Sequence, residues 1–160
     1  MRDMKDSTID MLLDVIDQGF DHQSWHGPNL RGALRGVTQQ QALWRPNPQR
    51  HNIWEHALHA AYWKYTVRRR ILNEKRGSFQ VKGSNWITPQ ETTVAAWRRD
   101  VKLLVETHKS LRAAIADVSS VKLRKRVRGA KVTYFSLISG VAAHDVYHAG
   151  QIQLLKRLQK

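Results

Sequence analysis

Between Trp97 and Val118 a stripe of side chains recurs at alternating steps of four and three: Trp97, Val101, Leu104, His108, Leu111, Ile115 and Val118. That spacing holds one face of an α-helix against a neighbour along its whole length. A strand would need alternation of two, which is absent here. From Ser7 to Phe20, Ile9, Leu12, Leu13, Ile16 and Phe20 face one way while aspartates take the other side. A second helix is expected from about Ile53 to Glu74, stopping at Gly77, and a fourth from about Tyr134 to Leu158. The third is expected to open at Thr88 or Pro89 and to end at Ser119-Ser120. Gly27-Pro28 and Arg45-Pro46-Asn47-Pro48 mark connections, with a short helix over 29–34 between them. Residues 77–90, with Phe79 and Trp86, read as an ordered loop that packs its aromatics. These patterns predict an all-α chain, a four-helix bundle, in one domain over residues 1–160.

Charge adds a second constraint. Lys and Arg number 27 against 13 acids, a formal +14. Six of the acids (Asp3, Asp6, Asp10, Asp14, Asp17, Asp21) fall in the first 21 residues, leaving 25 basic against 7 acidic residues beyond them. Such a surface draws anionic substrates or polyanions. A run of cations without acids, Lys122, Arg124, Lys125, Arg126, Arg128 and Lys131, precedes the fourth helix. With no cysteine, disulfides and thiolate metal sites are excluded. No apolar run reaches the roughly 18 residues of a membrane span, and the first residues do not read as a signal peptide, so no membrane partner and a cytoplasmic location are expected.

The chemistry concentrates in histidines. In Ala143-His144-Asp145-Val146-Tyr147-His148-Ala149-Gly150-Gln151, His144 and His148 are one helical turn apart and differ in direction by about 40°. Leu137, Val141, Gln151 and Leu155 share their side of the wheel, so both imidazoles are placed on the apolar face. Two such imidazoles can reach one ion. Asp145 points about 100° away from His144 and reads as a supporting or interhelical partner. A third ligand is expected from a facing helix. The second helix offers His56 and His59, three apart, on a face that carries Asn52, Glu55, Tyr62, Trp63 and Thr66. His59 is followed by Ala60 and Ala61, small residues that allow close approach, which favours it over His56. Glu55, one turn before His59, is the candidate general base, with a surface carboxylate paired to arginine as the competing reading. Tyr62, Trp63 and Gln151, with Trp86, are candidates for a pocket wall, and Arg70 for attracting an acidic substrate.

The block Ile-Trp-Glu-His-Ala-Leu-His-Ala-Ala-Tyr-Trp-Lys-Tyr from Ile53, followed far downstream by His-Asp-Val-Tyr-His-Ala-Gly-Gln-Ile from His144, resembles the DinB-like superfamily. Its members are damage-inducible and thiol-transferase-type four-helix proteins. The resemblance implies one divalent metal bound by a histidine of the second helix and by an HxxxH pair on the fourth. Carried over, the ligands are His59, His144 and His148.

Three imidazoles leave a coordination position open, the pattern of a catalytic site. Zinc or nickel suits these donors best, with a low-molecular-weight thiol as a second cofactor candidate. The leading expectation is a metal-dependent hydrolase or thiol S-transferase acting on a small, anionic substrate. The alternative is a nucleic-acid-associated basic protein whose metal is structural, and a homodimer fits either. The other histidines get plainer readings. His108 is a hydrogen-bonded core residue, His51 helps start the second helix, and His22 and His26 lie at the surface after the first.

Overall fold

The computed structural model describes residues 7–160 apart from Ser78; Asp3 and Asp6 of the acidic segment lie outside the described residues. Seven helices form among the described residues: α1 Ser7–Phe20, α2 Leu30–Leu34, α3 Gln39–Leu43, α4 Ile53–Leu72, α5 Val94–Ala116, α6 Ser120–Leu123 and α7 Tyr134–Leu158. The chain is all-α. The four long helices pack together, and the three short ones occupy the connections.

Direction follows from paired residues. Trp54 meets Trp97 and donates to Asp100, while Lys64 reaches His108, so α4 and α5 run parallel. His56 meets His148 and Lys64 meets Asp145, so α7 runs antiparallel to α4. Phe20 stacks on His108 and Asp17 binds Arg112, which sets α1 antiparallel to α5. Thus α1 and α7 point one way, α4 and α5 the other. A parallel α4–α5 pair cannot be joined by a tight turn; residues 73–93 must travel back along the bundle.

The seams show why these segments pack. The buried stripe of α4 is Ile53, Ala57, Ala60, Lys64, Val67 and Ile71, and that of α7 is Tyr134, Ile138, Val141, Asp145, His148, Ile152 and Leu155. Both alternate steps of four and three, as α5 does. Asp145, and not His144, therefore lies in the middle of the buried face of α7; His144 sits at its edge and is only half-buried. Two apolar clusters result, one around Phe20, Trp54, Trp97 and Ile152, the other around Ile16, Val67, Leu111 and Ile138. Between them runs a polar layer. Lys64, wholly buried, donates to Asp145 and lies 3.3 Å from His108 Nδ1, and His108 stacks on Phe20. At the edge of the layer Arg112 binds Asp17 at 2.8 Å. Close approach of α1 to α7 depends on Gly19, where a Cβ would lie 3.0 Å from the carbonyl oxygen of Ala142.

Several ends differ from the sequence expectation. The second long helix stops at Leu72 because Asn73 adopts a left-handed conformation (φ 56°) that caps it. The third starts at Val94, where Thr93 accepts from the Ala96 N–H, rather than at Thr88 or Pro89. Ser119 does not simply end α5; its side chain caps α6. The basic connector after α6 is ordered by an isolated bridge between Arg126 and Thr133.

Candidate metal centre

Helix α4 enters the site through a capping box. The Asn52 side chain accepts from the Glu55 N–H at 2.8 Å, and the Glu55 carboxylate accepts from the Asn52 N–H at 3.2 Å. This fixes the first turn, and one turn later His59 faces α7. There His59 Nε2 lies 3.0 Å from His144 Nε2, which in turn lies 3.0 Å from His148 Nε2. One ligand atom from each of the three lies within 4.8 Å of the others. Two nitrogens each about 2.05 Å from a tetrahedral ion would stand about 3.4 Å apart, a little more than the 3.0 Å of the two adjacent pairs.

The far sides of two of the three rings are anchored, whereas His144 Nδ1 is buried without a hydrogen-bond partner among the described residues. His59 Nδ1 donates to the Asn85 carbonyl at 3.0 Å, which leaves a lone pair on its Nε2. His148 Nδ1 shares a proton with His56 Nδ1 at 2.8 Å. His56 thus stands behind His148, while His59 is the one of the two that joins the cluster. Asn85 reaches its place through a left-handed backbone (φ 57°), and its side chain accepts from the Trp63 indole at 3.0 Å. Trp86 lies flat between His59 and His51, with ring centroids 3.8 and 3.7 Å away. The crossover loop thus straps the site.

Burial disfavours the protonated imidazoles. It pushes His144 down to about 4, helped by His59 and Lys64, and His148 down to about 2, helped by its histidine neighbours. His59 is lowered too, by burial against the raising effect of its bond to Asn85. Neutral rings with convergent lone pairs are the donor set that a divalent transition ion takes.

Other candidates fall elsewhere. The Glu55 carboxylate is held by Arg45 at 2.9 and 2.7 Å, by His51 at 3.0 Å and by the Asn52 N–H. Burial raises its pKa, but these bonds outweigh it and the net shift is downward. A carboxylate so occupied is a helix cap and an anchor for Arg45, which argues against a general base. Tyr62 packs on Trp63, Tyr65 and Phe79, so it holds the loop rather than facing the histidines. Among the described residues Gln151, half-buried, makes no hydrogen bond to the cluster. Arg70 lies eleven residues past His59, about 16 Å along the axis, too far to meet a ligand there. Trp63 does approach, with ring centroids 6.3 Å from His59 and 6.5 Å from His144. Lys64 and Asn85 were not singled out by sequence. Lys64 was legible as a charge on the four-three stripe of α4; Asn85 carried no signal beyond its tolerance for a left-handed backbone.

Two cavities flank the cluster. One of about 810 Å³ lies over Arg45, Arg50, His51 and Glu55 and touches none of the three histidines. The other, of about 190 Å³, touches His144. No curated protein and no solved structure matches the chain. The sequence model of the DinB superfamily matches residues 23–152, which hold both histidine blocks, and the chain belongs to that superfamily.

Proposed function

We propose that this chain is a metal-dependent enzyme, a hydrolase or a thiol S-transferase, with one divalent ion held by His59, His144 and His148. The supporting observation is the convergence of three neutral imidazoles from two antiparallel helices. When bound, a zinc or nickel ion with three neutral ligands supplies a Lewis acid and lowers the pKa of a water or thiol at its open position. The protein's own part is orientation and shielding. Asn85 and His56 fix the rings of His59 and His148 from behind, and Trp86 covers His59. The test is metal content of the untagged protein by elemental analysis, wild type against His144→Ala. About one ion per chain is expected for the wild type, with loss in the variant. Negligible metal in both overturns the reading. Turnover on thiol-conjugating and hydrolytic substrate panels then separates the two chemistries.

A second reading, that the chain associates with nucleic acid, is favoured by one feature of the fold. Lys122 Nζ donates to the Ile71 carbonyl at 3.1 Å, which brings the basic connector to the end of α4, where Arg68, Arg69, Arg70, Lys75 and Arg76 lie. Two basic stretches, distant in sequence, thereby share one end of the bundle.

A further inference from the structure

The cleft beside His144 lies between α4 and α7, with Trp63 and Val67 on one wall, Leu137 and Val141 on the other, and Val132 of the connector at its end. On α7 the residues Leu137, Gly140, Val141 and His144 follow one another at helical neighbour spacing, so His144 closes an otherwise apolar stripe. Of the three clustered histidines, His59 and His148 are buried, and His144 alone is half-buried and in the cleft. Anything that reaches the cluster by this route passes along walls that are apolar apart from Ser136.

Gly140 adds an independent observation. A glycine inside a helix is unfavourable relative to alanine, and here no packing contact demands it, because a Cβ would meet nothing within 4 Å. Gly140 is exposed and lines the cleft, so the space beside it belongs to the cleft's open side. The cleft is open to solvent along Val132, Ser136 and Gly140, and its volume, about 190 Å³, is large enough for one ring, which fills an enclosed cavity of about 150 Å³.

We infer that this cleft seats the apolar group of the molecule acted on, a single ring or a branched alkyl group of similar size, and leaves its polar atom at the histidine cluster. The polar end of this assignment rests on the metal-dependent reading above; the apolar seat rests on the cleft alone. The substrate class is therefore a small molecule with one compact apolar substituent next to its reacting atom.

Two measurements on the full chain test it separately. In the first, metal-free ¹⁵N-labelled protein is titrated with benzyl alcohol. Saturable shifts of the Trp63 indole N–H and the Gly140 amide are expected, and the Trp63 shift should vanish in Gly140→Leu, which fills the cleft from its open side. Val132→Trp fills it from the connector and gives the same answer should the first variant fold poorly. No shift in the wild type, or shifts retained in a folded filled variant, overturns the apolar seat. In the second, zinc-loaded protein is titrated with benzohydroxamate and acetohydroxamate, which share a chelating head. The aryl compound should bind about tenfold tighter or more, and Gly140→Leu should bring the ratio to about one. Equal affinities in the wild type overturn the link between cleft and cluster. Should the protein take up no metal, the metal-dependent reading falls on its own measurement, while the benzyl alcohol titration still decides the cleft.

Discussion

His56 and His148 show how a single proton is placed. Their Nδ1 atoms are 2.8 Å apart, so one donates and the other accepts. With His148 Nε2 turned to the cluster, the arrangement that leaves it a lone pair has His148 donating and His56 accepting. Replacing His56 with Phe keeps a ring but removes the acceptor. Metal affinity is expected to fall about 10- to 100-fold with stoichiometry unchanged at saturation, as read by competition with a chelator. Unchanged affinity would remove His56 from the site. Burial of the imidazoles also sets a pH dependence. His56 and His144 are pushed down to about 4 and His108 and His148 to about 2, each chiefly by burial. In the unfolded chain they titrate near 6.5. Below that value the unfolded chain binds more protons, so their stabilising share, complete above pH 6.5, is lost as the pH falls toward 4. Asp145 acts in the opposite sense: burial raises it to about 6 against the pull of Lys64, and its share is lost as the pH rises through 6. One carboxyl offsets part of four imidazoles. The Tm of the metal-free protein should drop by several degrees between pH 7 and 4.5, and a flat profile would contradict this.

At the scale of the helices, the polar layer sets register. Lys64 on α4, His108 on α5 and Asp145 on α7 meet at one level between two apolar clusters, so a one-turn slip of any of these helices would strand a charge among aliphatic side chains. Breaking one member of a buried pair is worse than removing both. Lys64→Met should cost about 3–5 kcal/mol by urea unfolding, while Lys64→Met with Asp145→Leu should recover most of it. Equal losses in the single and double variants would show that the two residues are not coupled. The layer also marks where the sequence was readable. Helix α7 runs over Tyr134–Leu158 as its periodicity predicts, and the buried face of α1 is the expected one. The stripe of α4 was harder to see because Lys64 interrupts it, and in α7 Asp145 occupies the central position that the sequence assigned to His144. A charge in a seam looks like a surface residue until its partner is known. The histidines could be grouped by spacing within a helix. Which of His56 and His59 faces the pair, and which stands behind it, depended on the depth and tilt of α4 against α7, and no local pattern encodes that. Trp86 was expected at the pocket wall from the aromatics of its loop and lies against His59, whereas the part of Asn85 was hidden, because it follows from α4 and α5 running parallel.

Over the whole molecule the charge is uneven. Exposed cations at Arg124, Lys125, Arg126, Arg128 and Lys131, with Lys75 and Arg76 after α4, lie at one end, against Asp10, Glu74 and Asp117. Arg68 is already paired with Glu74 at 2.8 Å. If this end engages phosphodiester backbones, affinity for a short DNA duplex should fall steeply with salt. Reversing Arg124, Arg126 and Arg128 to Glu should weaken it about tenfold or more and leave metal content intact. Binding that ignores salt, or survives the reversal, would count against the nucleic-acid reading.

The order of the helices has a consequence in time. His59 waits 85 residues for His144, and the ring of imidazoles closes only when α7, the last of the seven described helices, docks against α4. Closing so long a loop comes after the local contacts within each helix. A nascent chain would therefore hold its crossover loop and His59 ready while the other half of the cluster was still being synthesised. Capture of an ion would then act as the latch on an already helical chain rather than as the seed of its folding.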